Sequence, residues 1–271
     1  MAKIITLMTD FGVKSTYPSQ MKGVILDRQP DAVLVDMSHG VPPHDVRTAA
    51  FMLASAAPAF PEGTVHLTVV DPGVGGTRRV LAAKADGRFH VAPDNGTLTL
   101  VAQGRRLFGP DAAPATVVAV EDETHYRRDV SSTFHGRDVF APLAAALAGG
   151  VDINSLGPRV EAFQRFSLPL PDRDGSTIHG QALYVDPFGN LVTNVSGRML
   201  EALDRSRVEI HICGAVIRGL CRAYCDVPTG ILLAYVGSAG LVEVAVNQQS
   251  AAVRLGAGRG TTLAVHLPPA S

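Results

Sequence analysis

An α/β domain with a central, mainly parallel sheet, followed by a smaller all-β, barrel-like domain, is the fold class this sequence predicts. Three observations carry it. Over the first ~150 residues, strand-like and helix-like segments alternate, as in a largely parallel sheet. Around Leu168-Pro-Leu-Pro-Asp-Arg-Asp-Gly175 the texture changes to a proline- and glycine-bearing linker. Beyond it, short β-branched runs are separated by turn residues, the signature of a small antiparallel sheet or barrel. The boundaries that follow are 1–165, a linker at 166–176, and 177–271.

The elements follow in order. Lys3 to Thr9 reads as a strand, and Asp31 to Met37 as another, with Pro30 just before it. Val46, Ala49, Ala50, Leu53 and Ala54 recur at helical spacing and predict an amphipathic helix. Thr64 to Val70 is a buried strand, and Asp71 falls just past its carboxyl end. Val80 to Ala85 and Arg88 to Ala92 flank Asp86-Gly87, a hairpin signal. Val139, Leu143, Ala146 and Leu147 repeat helically, with Pro142 tolerated in the first turn and Gly149-Gly150 as the stop. The second domain offers Ile178 to Asp186, Leu191 to Val195, Val208 to Cys213, Ile231 to Val236, Leu241 to Val246 and Thr261 to His266 as strands.

Composition narrows the function classes. The 271 residues are 46% hydrophobic and 18% charged, with a formal net charge of −1, so no electrostatic footprint for nucleic acid or an anionic membrane is present. No apolar run approaches the ~20 residues of a membrane span, and the N-terminus lacks a signal-peptide pattern. Cys213, Cys221 and Cys225 form no CxxC pair and are read as reduced structural thiols. The expectation is a soluble cytoplasmic protein.

Chemistry concentrates in a few constellations. Asp71-Pro-Gly-Val-Gly-Gly-Thr-Arg78 places an acid and an arginine around a glycine-rich loop beyond a strand, where open α/β sheets bind ligands. Either Arg78 or its neighbour Arg79 can be the inward one. His135, in Phe134-His-Gly-Arg-Asp138, lies just before a helix start and needs an acid partner that Asp71 could provide; Arg137 and Asp138 read as a local ion pair or cap. Asp10, in Thr9-Asp-Phe-Gly12, is placed either to accept hydrogen bonds from a ribose diol or to cap a turn. Pro93-Asp-Asn-Gly96 reads as a turn. In the second domain, Asp186-Pro-Phe188-Gly-Asn190 offers an amide and an aromatic face to a planar base, or is simply a hairpin turn. Ser238 with Glu243 forms a second polar loop, equally open. Asp10, Asp71, Asp94, His39 and His135 are possible metal ligands, yet no HxxxH, CxxC, EF-hand, Walker A or GxGxxG pattern appears. No metal and no organic cofactor are expected.

Taken together, these blocks resemble the S-adenosylmethionine hydroxide adenosyltransferases, relatives of the enzymes that fluorinate or chlorinate S-adenosylmethionine. The resemblance runs through Thr9–Gly12, Gln20–Ile25, Phe60–His66, Val69–Gly75, Pro93–Gly96, Phe134–Pro142 and Phe188–Asn190. It implies hydrolysis of S-adenosyl-L-methionine to adenosine and L-methionine, by water or hydroxide attacking ribose C5′. It also implies an Asp-Arg-His triad at Asp71, Arg78 and His135, and substrate contacts from Asp10, Asp186, Phe188, Asn190, Ser238, Glu243 and Val246. The implied assembly is a homotrimer with sites between neighbouring subunits. Proton removal by His135 during attack, charge stabilisation by Arg78 and orientation by Asp71 would suit these residue types. One departure stands out: Ser15 occupies a loop position where the family usually has an acid to meet the methionine ammonium. The alternatives are a halogenase on the same scaffold, which an Asp71 carboxylate beside a halide opposes, and a non-catalytic adenosine or S-adenosylmethionine sensor.

Overall fold

The computed structural model describes residues 2–103, 113–201 and 204–267. By internal contacts the chain divides near Phe166–Ser167 into two compact units.

The first unit runs β1 (Lys3–Thr9), α1 (Tyr17–Arg28), β2 (Ala32–Ser38), α2 (Val46–Ala56), β3 (Val65–Val69), β4 (Val80–Ala85), β5 (Arg88–Pro93), β6 (Thr116–Ala119) and α3 (Ala141–Ala148). Its six-stranded sheet has the order β2-β1-β3-β5-β4-β6. The β1–β2, β1–β3 and β3–β5 pairs are parallel, and β4 is antiparallel to both its neighbours. Asp86 and Gly87 join β4 to β5 at φ 47° and 71°, the left-handed pair that a two-residue hairpin turn of matching twist requires. All of β3 is buried because helices cover both faces of the sheet. One face packs Leu7, Leu67 and Val69 against Met21 and Ile25 of α1 and Leu143 and Leu147 of α3. The other packs Met8, Leu81 and Ala92 against Ala49 and Leu53 of α2. Asp45 caps α2, its carboxylate accepting from Thr48 N at 3.1 Å.

Parallel β1 and β3 end side by side, with Thr9 opposite Val69. That register sets Asp10 and Asp71 at the same carboxyl-end edge, where such sheets collect ligands.

The second unit is all antiparallel: β7 (Asp172–Asp174), β8 (Thr177–Val185), β9 (Leu191–Ser196), β10 (Glu209–Ile212), β11 (Ala215–Arg218), β12 (Leu232–Val236), β13 (Leu241–Val246) and β14 (Thr262–His266), with the short α4 (Ala251–Leu255). The order β11-β10-β14-β8-β9-β13-β12 brings the consecutive strands β11 and β12 to its two ends, so the sheet is nearly a barrel. Its interior holds Ile178, Val195, Ile210, Val244 and Val265. Within the stretch read as linker, Asp172–Asp174 pair with β8 as β7, a short hairpin closed by Gly175. No helix among the described residues is long and apolar enough to cross a membrane.

Candidate active site

Asp71 and Arg78, at the two ends of one glycine-rich loop, meet His135, which arrives on a distant segment. Asp71 follows just past the end of β3, where the carbonyl of the intervening Val70 accepts from Asn95 Nδ2 at 2.8 Å. The loop that follows turns back so that Arg78 Nε donates to both Asp71 carboxylate oxygens at 2.9 Å, and Nη2 donates to Oδ2 at 2.5 Å. Both side chains are nearly buried, 4% exposed for Asp71 and 11% for Arg78, which strengthens a charge-assisted pair. The other hydrogen of Nη2 reaches His135 Nδ1 at 2.8 Å. The loop can lie this close because Gly75 has φ 77° and a Cβ there would stand 2.3 Å from the Ser132 carbonyl oxygen.

His135 is set by the segment after it. Residues Gly136–Phe140 form a wide, π-helical turn that runs into α3, with Ala141 N donating back to Gly136 O. Inside that turn the fully buried Asp138 carboxylate accepts from Arg137 Nε at 2.7 Å, Arg127 Nη1 at 3.1 Å and Ser131 N at 2.9 Å. Asp138 therefore clamps the loop that delivers His135. Phe134, Phe11 and Tyr17 contact one another beside it.

The contacts fix the chemistry of the imidazole. An arginine only donates, so Nδ1 must be the acceptor and the neutral ring carries its proton on Nε2. Burial, then the adjacent Arg78 cation, lowers the His135 pKa and keeps the ring neutral, against smaller opposing effects of Asp71 and Asp138. In this arrangement His135 is a donor at Nε2 and not a base, and Asp71 orients Arg78 and not the histidine. Among the described residues neither Nε2 of His135 nor Nη1 of Arg78 has a protein partner. Those N–H groups are what the triad can offer an oxygen.

The neighbouring arginine is occupied elsewhere. Arg79 Nε donates to Asp94 at 2.8 Å and Nη2 to the Ala162 carbonyl at 2.7 Å. Asp10 Oδ2 accepts from His44 N at 2.9 Å, leaving Oδ1 without a partner among the described residues. His39 is bonded to Thr9 and Asp36. Among the described residues no group of three or more His, Cys, Asp or Glu side chains is placed to hold a metal ion. Ser15 accepts from Tyr17 N at 3.1 Å, a turn leading into α1.

The second unit has a pocket of about 540 Å³ lined by Phe188, Asn190, Tyr224, Val246 and residues 247–250. Of the side chains singled out in the sequence, Phe188, Asn190 and Val246 line it. Asp186, Ser238 and Glu243 do not. Asp186 is engaged by the β8–β9 hairpin, accepting from Phe188 N at 2.9 Å, Asn190 N at 2.8 Å and Asn190 Nδ2 at 2.8 Å. Ser238 is exposed in the 237–240 turn. Glu243 is covered by Tyr235, whose hydroxyl donates to it. Sequence reasoning passed over Tyr224 and Tyr235, which sit between Glu243 and Asn190. The available signal was the cross-strand pairing of Tyr235 with Glu243, visible only once β12 and β13 are aligned.

Comparison with known proteins agrees along nearly the whole chain. The family models described as SAM hydroxide adenosyltransferase N-terminal and C-terminal domains match residues 5–157 and 180–264. A Salinispora arenicola protein named (R)-S-adenosyl-L-methionine hydrolase is 41% identical over 96% of this chain and 97% of its own length. A fluorinase from an Actinoplanes species is 29% identical over 73% of each chain. The crystal structure of an uncharacterized conserved protein from Thermotoga maritima superposes with TM-score 0.88 at 34% identity, covering 97% of this chain and 99% of that one.

Proposed function

The chain belongs to the SAM hydroxide adenosyltransferase family, and from that premise we propose that it hydrolyses (R)-S-adenosyl-L-methionine to adenosine and L-methionine, with Asp71, Arg78 and His135 holding the oxygen nucleophile. The observation that carries the residue assignment is the continuous chain of contacts from Asp71 through Arg78 to His135, ending in unpartnered N–H groups.

The nucleophilic oxygen attacks ribose C5′ opposite the sulfonium. The C5′–O bond forms as the C5′–S bond breaks, and the electron pair stays on sulfur, which departs as the neutral thioether of methionine. Such a leaving group needs no acid. The difficulty lies in the nucleophile, because water ionises with a pKa of ~15.7. Arg78 supplies a fixed positive charge and His135 a fixed donor, both of which favour a hydroxide-like oxygen, while the released proton passes to solvent. Asp71 keeps the guanidinium in place, so the stabilising charge is aligned before the reaction begins.

Asp10 takes the ribose diol, and Phe188 with Asn190 takes the base. The reading of a homotrimer with sites between neighbouring subunits is supported by the partition of these residues: the triad lies in the first unit and the base pocket in the second. A cytoplasmic location is supported by the unpaired cysteines and the balanced charge.

The test is incubation of the purified protein with S-adenosyl-L-methionine and chromatographic resolution of adenosine, methionine and methylthioadenosine, without added metal or cofactor. Adenosine and methionine are expected in equal amounts. Arg78→Lys keeps the charge but not the forked contacts, and kcat should fall about 10²-fold or more. A 5′-halogenated adenosine formed on adding halide would overturn the hydrolase reading. Full activity from a stable monomer in sedimentation would overturn the intersubunit site.

A further inference from the structure

In the second unit, hydrogen bonds run in a single line from the pocket into the sheet. Asn190 Nδ2 donates to Tyr224 Oη at 2.9 Å, the Tyr224 and Tyr235 hydroxyls are 2.5 Å apart, and the Tyr235 hydroxyl donates to Glu243 Oε2. A carboxylate only accepts, so each proton along the line has one place to go. Tyr235 gives its hydrogen to Glu243, Tyr224 gives its own to Tyr235, and Asn190 must supply an N–H to Tyr224. The second hydrogen of the same amide nitrogen goes to Asp186 Oδ2 at 2.8 Å. Two carboxylates, one direct and one acting through two tyrosines, therefore consume both amide hydrogens. Oδ1 is what remains to a ligand: it has no partner among the described residues, and Asn190 lines the pocket while being only 1% exposed.

We propose that Tyr224, Tyr235 and Glu243 are positioning residues that fix the Asn190 amide with its carbonyl oxygen toward the ligand, so that this pocket selects a planar base that donates a hydrogen bond, such as a 6-aminopurine, over its 6-oxo counterpart. The proposal rests on the proposed function above, which puts the base in this pocket. Its physical content is the asymmetry of buried polar recognition. An acceptor that cannot rotate into a donor is left facing another acceptor by the oxo analogue, and both lose their hydrogen bonds to water for nothing. Tyr235 and Glu243 do not line the pocket and act only through Asn190.

The test compares adenosine and inosine by calorimetric titration against the full-length protein and its variants. The wild type is expected to prefer adenosine by about tenfold or more. Tyr235→Phe, which keeps the ring, and Glu243→Leu should each bring that ratio down to about threefold or less. Glu243→Gln keeps an acceptor oxygen and should retain the ratio to within about twofold. A purely packing role would lower the affinity for both nucleosides together and leave the ratio unmoved, which overturns the proposal. Should Glu243→Leu not fold, Tyr235→Phe decides alone. Asn190→Ala separates the two levels of argument. If it leaves adenosine affinity unchanged, the base does not bind here and the site assignment itself falls. If it abolishes the preference while Tyr235→Phe does not, only the relay is wrong.

Discussion

A neutral imidazole next to an arginine is sensitive to acid in a definite direction. The His135 pKa is lowered by burial and by Arg78, so the ring stays neutral until the pH falls below its ordinary 6.5. Protonation then places an Nδ1–H against the Arg78 Nη2–H and breaks the contact. The expected outcome is a kcat/KM profile that is flat near neutrality and falls on the acid side with an apparent pKa below 6.5. An acid limb centred above 6.5, or one unchanged in Arg78→Gln, would contradict this. Ser15 carries a second expectation. An aspartate there would give the methionine ammonium a charge-assisted partner, worth ~1.5–3 kcal/mol against less for a hydroxyl. Ser15→Asp should tighten S-adenosylmethionine about tenfold or more and leave adenosine nearly unaffected. Titration of both ligands in a His135→Ala background checks it, and equal shifts for the two would count against it.

At the level of elements, the close seating of one loop on another is what makes the triad possible. Gly75 packs against the Ser132 carbonyl, three residues before His135. Gly75→Ala forces either loop away and requires a left-handed alanine, at a cost of about 1–3 kcal/mol in stability. The larger expected effect is on catalysis: a displacement of about 1 Å at the triad lowers turnover about 10²-fold. Thermal unfolding and steady-state rates measure the two separately. Most strands and the helices α2 and α3 were legible because periodicity, Asp86-Gly87 and the proline positions act locally; α1, β6, β11 and α4 were not, and β7 falls in the stretch read as linker. The convergence of Asp71 and Arg78 was legible for the same reason, being seven residues apart on a glycine loop. The choice of Arg78 over Arg79 was not, because it depends on Asp94 and the Ala162 carbonyl capturing Arg79 from distant segments. Nor was the line of hydrogen bonds through the tyrosines, which needs the cross-strand pairing of Tyr235 with Glu243 and the separate 224–226 turn that brings Tyr224 to Asn190.

For the whole molecule, two buried histidines make stability sensitive to mild acid. His66 and His90 stack at 5.0 Å inside the first sheet. Burial, with a smaller effect of Arg88, lowers the His66 pKa to about 4 and, with His66 and Arg88 contributing, puts that of His90 well below 6.5. Between pH 6.5 and about 4 the unfolded chain takes up a proton that the folded His66 refuses, so stability falls as the pH falls through that window. At ~1.4 kcal/mol per pKa unit, His66 alone accounts for a loss of about 3–4 kcal/mol. Denaturant unfolding at stepped pH should show this decline, and it should be smaller in a protein where both rings are replaced by apolar ones that fit. A stability profile flat from pH 7 to 4 would refute it.

The wide turn between His135 and α3 also acts as a phase adjuster. An α-helix rotates ~100° per residue, and residues 136–140 hold one more residue per turn than a regular helix does. Removing a residue there, with Leu143 and Leu147 held in the core, would swing His135 about a quarter-turn away from Arg78 and displace the buried Val139 or Phe140 as well. The position of the histidine thus depends on a counting irregularity, and the buried Val139 and Phe140 within that turn tie the irregularity to the core itself.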